Sequence, residues 1–170
     1  RPSPFRLPGY GDDAAFISDP HDAEVERKTL RELLVESVVA SCALGEAYGM
    51  KQGMRLALYL PNDMGPIVWI EAAKRMGMPY VAVASGTASP SLASRLLDTG
   101  ASVLLASPSV VSSAQEARQL LEEPPRGVLV SSGGLEPAYD GWVYASAALK
   151  PVHERLLRVF KNGNTLDTAP

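Results

Sequence analysis

The chain has 170 residues, 46% of them hydrophobic and 21% charged, and a formal net charge of −3. That is enough for one domain with a real core, and the mild acidity gives no broad attraction to nucleic acid or anionic membrane. No apolar run approaches the ~20 residues that span a bilayer, and a single cysteine, Cys42, excludes an internal disulfide framework or a cysteine-rich zinc site. The first residue is Arg1 rather than Met, so the chain is expected to be a processed product or a piece of something longer, with no uncleaved signal or transit peptide at its start.

Residues 1–20 are rich in proline and glycine and lack a period. They read as an extended arm anchored by Phe5, Leu7, Tyr10 and Phe16, with a short strand at Ala14–Ser18. Asp19-Pro20-His21-Asp22 reads as a turn. His21 between acids is turn chemistry before it is a metal ligand. Thr29-Leu30-Arg31-Glu32 is a capping box. The helix it opens places Leu30, Leu33, Leu34, Val38 and Cys42 at helical spacing and ends at Gly49. Cys42 on that apolar face reads as a buried structural thiol, because no basic residue stands near it in sequence.

Arg55–Leu60 is a short apolar strand closed by Pro61-Asn62-Asp63. Pro66–Met76 is a helix opened by proline and stopped by Gly77. Pro79–Ala84 is a second strand, ending at Ser85-Gly86. Two strands joined by one helix are parallel neighbours, and a parallel sheet needs helices on both faces. The fold class is therefore α/β, a layered and mainly parallel sheet flanked by helices.

Ser89-Pro90, as cap and first residue, starts a helix with Leu92, Leu96 and Leu97 inward, ended by Gly100. Ala101–Ala106 is a third strand. A helix over Val110–Glu122 buries Ala114, Ala117, Leu120 and Leu121. Gly127–Val130 is a fourth strand, Ser131-Ser132-Gly133-Gly134 a loop, and Gly141–Ala148 fits neither pattern cleanly. Lys150–Phe160 is an amphipathic helix, followed by a loose tail. The expected divisions are residues 1–20 as arm, 21–149 as the α/β body and 150–170 as C-terminal helix and tail. Trp69 and Trp142 read as packing anchors rather than base-stacking platforms, since no basic groove accompanies them. His153 reads as a solvated helix residue. Asp12-Asp13 and Glu122-Glu123 read as solvated charges.

These residues resemble the AMP-forming acyl-CoA synthetases. Thr29-Leu30-Arg31-Glu32-Leu33, Ala43-Leu44-Gly45 and Gly53–Asn62 are similar to the family's T-Y-x-E-L, helix and G-D-R-V-A-I-Y-L-P series. Ala72-Ala73-Lys74-Arg75-Met76-Gly77 is similar to A-x-x-R-x-G, and Arg95–Leu104 to R-I-x-D-x-G-A-K-V-V. The likeness covers about residues 14–107 and is nearest to the acetyl- and propionyl-CoA synthetase branch. It implies a subdomain of an adenylate-forming ligase. In the whole family, ATP and a carboxylate give an acyl-adenylate and pyrophosphate, and CoA then takes the acyl group.

The resemblance also implies ATP, magnesium and CoA for a full-length member. The family's Ser/Thr/Gly-rich loop ending in P-K-G is not in this sequence, so the chain is expected to stop short of the catalytic motifs. It is expected to bind none of these cofactors alone and to supply no catalytic residue or metal ligand. Ser131–Pro137 is the one candidate phosphate loop, but Glu136 and the lack of a following lysine favour a plain surface loop.

One family site maps onto the chain. CoA lies against F-G-G-F-S at a strand end, which here is Ala84-Ser85-Gly86-Thr87-Ala88, making Ala84, Ser85 and Gly86 the candidate cofactor-binding residues. The plainer reading is that Ser85-Gly86 only turns the chain. The family's phosphate-holding arginines fall on Ser112 and Gln115 here, with Arg118 one turn away, so a CoA phosphate lacks its guanidinium.

Two functions follow from the resemblance. The chain is an N-terminal synthetase subdomain that is inert alone, with the remainder of the synthetase as partner. Alternatively it is a degenerate relative, a pseudoenzyme, serving as a structural or interaction subunit beside other protein subunits. Neither involves nucleic acid or a membrane span. The expected setting is intracellular, in cytoplasm or an organelle matrix.

Overall fold

The computed structural model describes residues 14–18, 26–62, 65–130 and 139–163, with the backbone alone for 14–18, 26 and 159–163. Its centre is a five-stranded sheet built from β3 (Leu56–Leu60), β4 (Tyr80–Ala84), β5 (Val103–Ala106), β6 (Arg126–Leu129) and β7 (Trp142–Tyr144). The strand order is β4-β3-β5-β6-β7, and every pairing is parallel. The order reverses between β3 and β5. Helices α1 (Leu30–Tyr48), α2 (Gly65–Arg75) and α5 (Ala145–Gly163) pack over one face, and α3 (Ser89–Thr99) and α4 (Val111–Gln119) over the other. Side chains alternate across the pleat. Leu56, Leu58 and Leu60 therefore join the core under α1 and α2, while Ala57 and Tyr59 join the core under α3 and α4. Helices on both faces leave every residue of β3 and β5 buried. On the edge strand β4, Val83 is buried while Tyr80, Ala82 and Ala84 are exposed.

The capping box forms as expected. The Thr29 hydroxyl accepts from the Glu32 amide at 3.1 Å, and the Glu32 carboxylate accepts from the Thr29 amide at 2.8 Å. Gly49 ends α1 with a left-handed φ of 69°, where a side chain would be strained. The buried stripe of α1 differs from the expected one. Leu33, Ser37, Ala40, Ala43 and Leu44 are buried, while Leu30, Leu34, Val38 and Cys42 are half-buried. The cause is that α1 lies between α2 and α5 and touches both. Ser37 is fully buried, donates to the Leu34 carbonyl at 3.0 Å and accepts from Arg75 Nε at 2.9 Å, clasping α1 to α2.

Three further boundaries differ from expectation. Ala88, not Ser89, is the N-cap of α3, and the Ser89 hydroxyl turns to Glu116 instead. Helix α4 is shorter at both ends, entered through a 3-10 turn at Pro108–Val110, which leaves Leu120 exposed. Helix α5 starts at Ala145 and carries Pro151 inside it. Proline forfeits an intrahelical hydrogen bond, but burial of Ala145, Ala148 and Val152 across that point holds the helix together. The strand at Ala14–Ser18, β1, is present, and it pairs antiparallel with a polar strand, β2 (Glu26–Thr29), that no apolar pattern announces. The rest of the expected arm, His21, Asp12-Asp13 and Ser131–Pro137 lie outside the described residues.

Candidate functional site

Ala84 ends β4 and is not part of the lining, while Ser85 and Gly86, which follow it, border a crevice of about 680 Å³ between α3 and α4. Strand C-termini are where open parallel sheets offer ligands a place to lie. The crevice is braced from below by Tyr59, whose ring is buried under β3. Its hydroxyl lies 2.8 Å from both the Ser85 and Thr87 carbonyls, so one proton is shared between two acceptors. The Thr87 amide donates to the Ala84 carbonyl at 2.9 Å, closing the turn. Gly86 is exposed, and a Cβ there would meet nothing within 4 Å. Its lack of a side chain is therefore not demanded by packing or by φ, and the backbone stays open to approach.

The charge in this crevice is negative. Among the described residues its lining includes Ser85, Thr87, Ser89, Ser113, Glu116 and Gln119, and no lysine, arginine or histidine. The Glu116 carboxylate accepts from the Ser89 hydroxyl at 2.7 Å. The three positions where a guanidinium was sought lie along α4, and the structure accounts for each. Ser112 is exposed. Gln115 Oε1 accepts from the Trp142 indole at 2.8 Å and from Arg118 at 3.1 Å. Arg118 donates to the Pro125 carbonyl at 3.0 Å and the Gly141 carbonyl at 3.2 Å, and its guanidinium lies 5.0 Å from the centre of the Trp142 ring. Burial pushes the Arg118 pKa down from its ordinary value, as low dielectric disfavours the charged form. Arg118 and Gln115 thus bracket the end of β7 and do not reach the crevice. A phosphate needs a cation or several converging amide donors, and this lining does not supply the cation.

A second concavity, of about 1120 Å³, opens on the other face at the ends of β3 and β5. Leu60, Pro61, Ser107 and Pro108 border it, Val39, Trp69 and Leu149 line it, and Lys150 and His153 stand beside it. No local pattern announces this groove, because α1, α2 and α5 build it from residues more than one hundred positions apart. Trp69 and Trp142 are both buried, in keeping with their reading as packing anchors, and His153 is exposed. Cys42 is half-buried and free, and Arg155 approaches it from α5. Arg155 itself forms a two-pronged ion pair with Glu46 at 2.5 and 3.0 Å. Glu122 and Glu123 are exposed. Among the described residues no three of His, Cys, Asp and Glu converge, and no helix is long and apolar enough to cross a membrane.

Comparison with known proteins places these features. A family profile described as "AMP-binding enzyme" matches residues 6–156. Acetyl-coenzyme A synthetase of Cupriavidus metallidurans is 35% identical over 98 residues, which is 57% of this chain and 14% of that protein. The Ralstonia pickettii enzyme of the same name is 36% identical over the same shares. The chain therefore spans about one seventh of the length of these relatives. Among solved structures, an acyl-CoA synthetase of Brucella canis superposes with a TM-score of 0.74 at 22% identity, over 86% of this chain and 26% of that one. An anthranilate CoA ligase in complex with anthranoyl-AMP superposes with a TM-score of 0.69 at 17% identity over the same shares. At those identities the likeness is one of fold.

Proposed function

The chain belongs to the AMP-binding enzyme family, and on that premise we propose that it is the N-terminal α/β subdomain of an AMP-forming short-chain acyl-CoA synthetase and is inert by itself. The whole enzyme would join a short carboxylate such as acetate to CoA at the expense of ATP. ATP with magnesium supplies the leaving group that activates the carboxylate, and CoA supplies the thiol. This chain's residues supply a rigid parallel sheet, a turn at Ser85–Thr87 held by Tyr59, and a strand end with an open backbone at Gly86. No step of the adenylation is assigned to them.

The observation that carries this reading is the charge of the crevice. Phosphoryl chemistry needs preorganised cations and amides where negative charge develops. Here the one charged group in the lining, among the described residues, is a carboxylate, and the nearby guanidinium is committed to Trp142 and two backbone carbonyls. The same observation favours a second reading, a degenerate relative that acts as a structural or interaction subunit, because the α4 residues serve packing rather than a ligand.

ATP–pyrophosphate exchange tests the first reading. The 170-residue chain, given acetate or propionate with ATP and magnesium, is expected to show no exchange above background. Measurable exchange overturns it. Mixing the chain with the remaining part of an acetyl-CoA synthetase separates the two readings. Restored exchange supports the subdomain, and continued silence despite physical association supports the subunit.

A further inference from the structure

We propose that Glu116 acts as a resident anion that closes the Ser85–Thr87 crevice to phosphate-bearing ligands. The inference rests on the reading that this chain handles no nucleotide alone, and it names the residue responsible. Three observations carry it. The first is placement: Glu116 stands on α4 and lines the crevice directly opposite the start of α3. The second is the partner. Ser89 has the residue type of a cap, yet no side chain caps α3, and its hydroxyl proton goes to the Glu116 carboxylate at 2.7 Å. The donor that an incoming phosphate oxygen would use is already taken. The third is balance: among the described residues no lysine, arginine or histidine in the lining offsets the carboxylate.

A dianion entering this space meets a fixed like charge at contact range. That weakens binding by roughly tenfold to several hundredfold, depending on how much water remains between them. The start of a helix favours negative charge, and here a side chain of the protein provides it. The shape of the crevice would admit a ligand, and its charge turns an anionic one away. Glu116 thereby sets specificity, whereas Tyr59 sets shape.

The test uses the whole chain and three variants, Glu116→Gln, Glu116→Arg and Ser89→Ala, titrated with inorganic pyrophosphate and with CoA by calorimetry. Glu116 is exposed, so the substitutions leave the fold in place, which circular dichroism and melting temperature verify. The wild type is expected to show no saturable heat up to millimolar ligand. Glu116→Gln is expected to show weak binding. Glu116→Arg should bind at least tenfold more tightly than Glu116→Gln, with an affinity that falls as salt rises. Ser89→Ala should stay silent, because the carboxylate remains. If folded Glu116→Gln is as silent as the wild type, Glu116 is not the gate and the inference fails, whether or not the added cation of Glu116→Arg binds, while the scaffold reading stands. If the wild type binds CoA as tightly as Glu116→Arg, both fall.

Discussion

The two faces of the sheet do different work. Under α1, α2 and α5 lies a continuous apolar core that includes Leu56, Leu58, Trp69, Met78 and Val128. Its few polar groups are clasps, such as Arg75 on Ser37. Under α3 and α4 a crevice with serine, threonine and glutamate in its lining opens beside the end of β4. There the charged residues divide: Arg118 is half-buried on Trp142, and Glu116 is exposed at the crevice. The contrast teaches that a strand end can offer an open backbone while the charged side chains around it bind other parts of the protein. Tyr59 belongs to the core of the second face and still shapes the turn that a ligand would meet.

Substitutions can test how separate the faces are. The largest effect is expected at the sheet itself. Leu58 and Leu104 point to opposite faces and both are essentially inaccessible to solvent. Leu58→Ala and Leu104→Ala should each cost about 2–5 kcal/mol in urea unfolding. A small loss at Leu104 alone would mean that the α3–α4 face is not a true core.

Next comes Gly127→Ala. An added Cβ would lie 2.6 Å from the Trp142 ring, so the indole must move, and the cost should be about 1–3 kcal/mol. Trp142 emission should change while Trp69, across the sheet, reports nothing. Smaller again is Arg118→Met, which keeps much of the packing on the indole but removes donors to two backbone carbonyls. It should cost about 1–2 kcal/mol and should leave the chain as unresponsive to CoA as before. If it altered ligand binding, Arg118 would belong to the crevice after all.

The smallest effect concerns the entry to α1. The Thr29 backbone amide, then the Thr29 hydroxyl, hold the Glu32 carboxyl below its ordinary pKa of 4.5, with Lys28 adding a little and burial opposing. A depressed carboxylate contributes stability above its unfolded pKa, and that contribution fades as pH falls through the lower folded value. Glu32→Gln should therefore flatten the pH dependence of the melting temperature on the acid side of about pH 4.5 and leave the neutral range nearly unchanged.

Much of this was readable before the structure. The strand–helix–strand over residues 55–86, the Thr29 box and the glycine stops at Gly49 and Gly100 rest on local rules of period and capping, and local rules survive folding. What escaped depends on distant partners. The burial of α1 is set by α2 and α5 on either side of it. Ser89 does not cap α3 because Ala88 holds the extended N-cap backbone, which leaves the Ser89 hydroxyl free to donate to Glu116 on the next helix. The last helix reads as starting at Lys150 until Ala145 and Ala148 are seen buried ahead of Pro151. At the candidate site, the resemblance named Ala84, Ser85 and Gly86 as candidates, and the sequence has no arginine at Ser112 or Gln115. It could not place Tyr59 beneath them, nor tell that Arg118 is held by Trp142, because each contact joins strands or helices far apart in the chain.

The most direct test is at the turn itself. Amide resonances of Ser85, Gly86 and Thr87 should be followed by NMR while CoA is added to the wild-type chain up to several millimolar. A scaffold without its own cation leaves them where they are, apart from small linear drifts with salt. Saturable shifts centred on Gly86 would show that these 170 residues hold the cofactor unaided, and would contradict the scaffold reading.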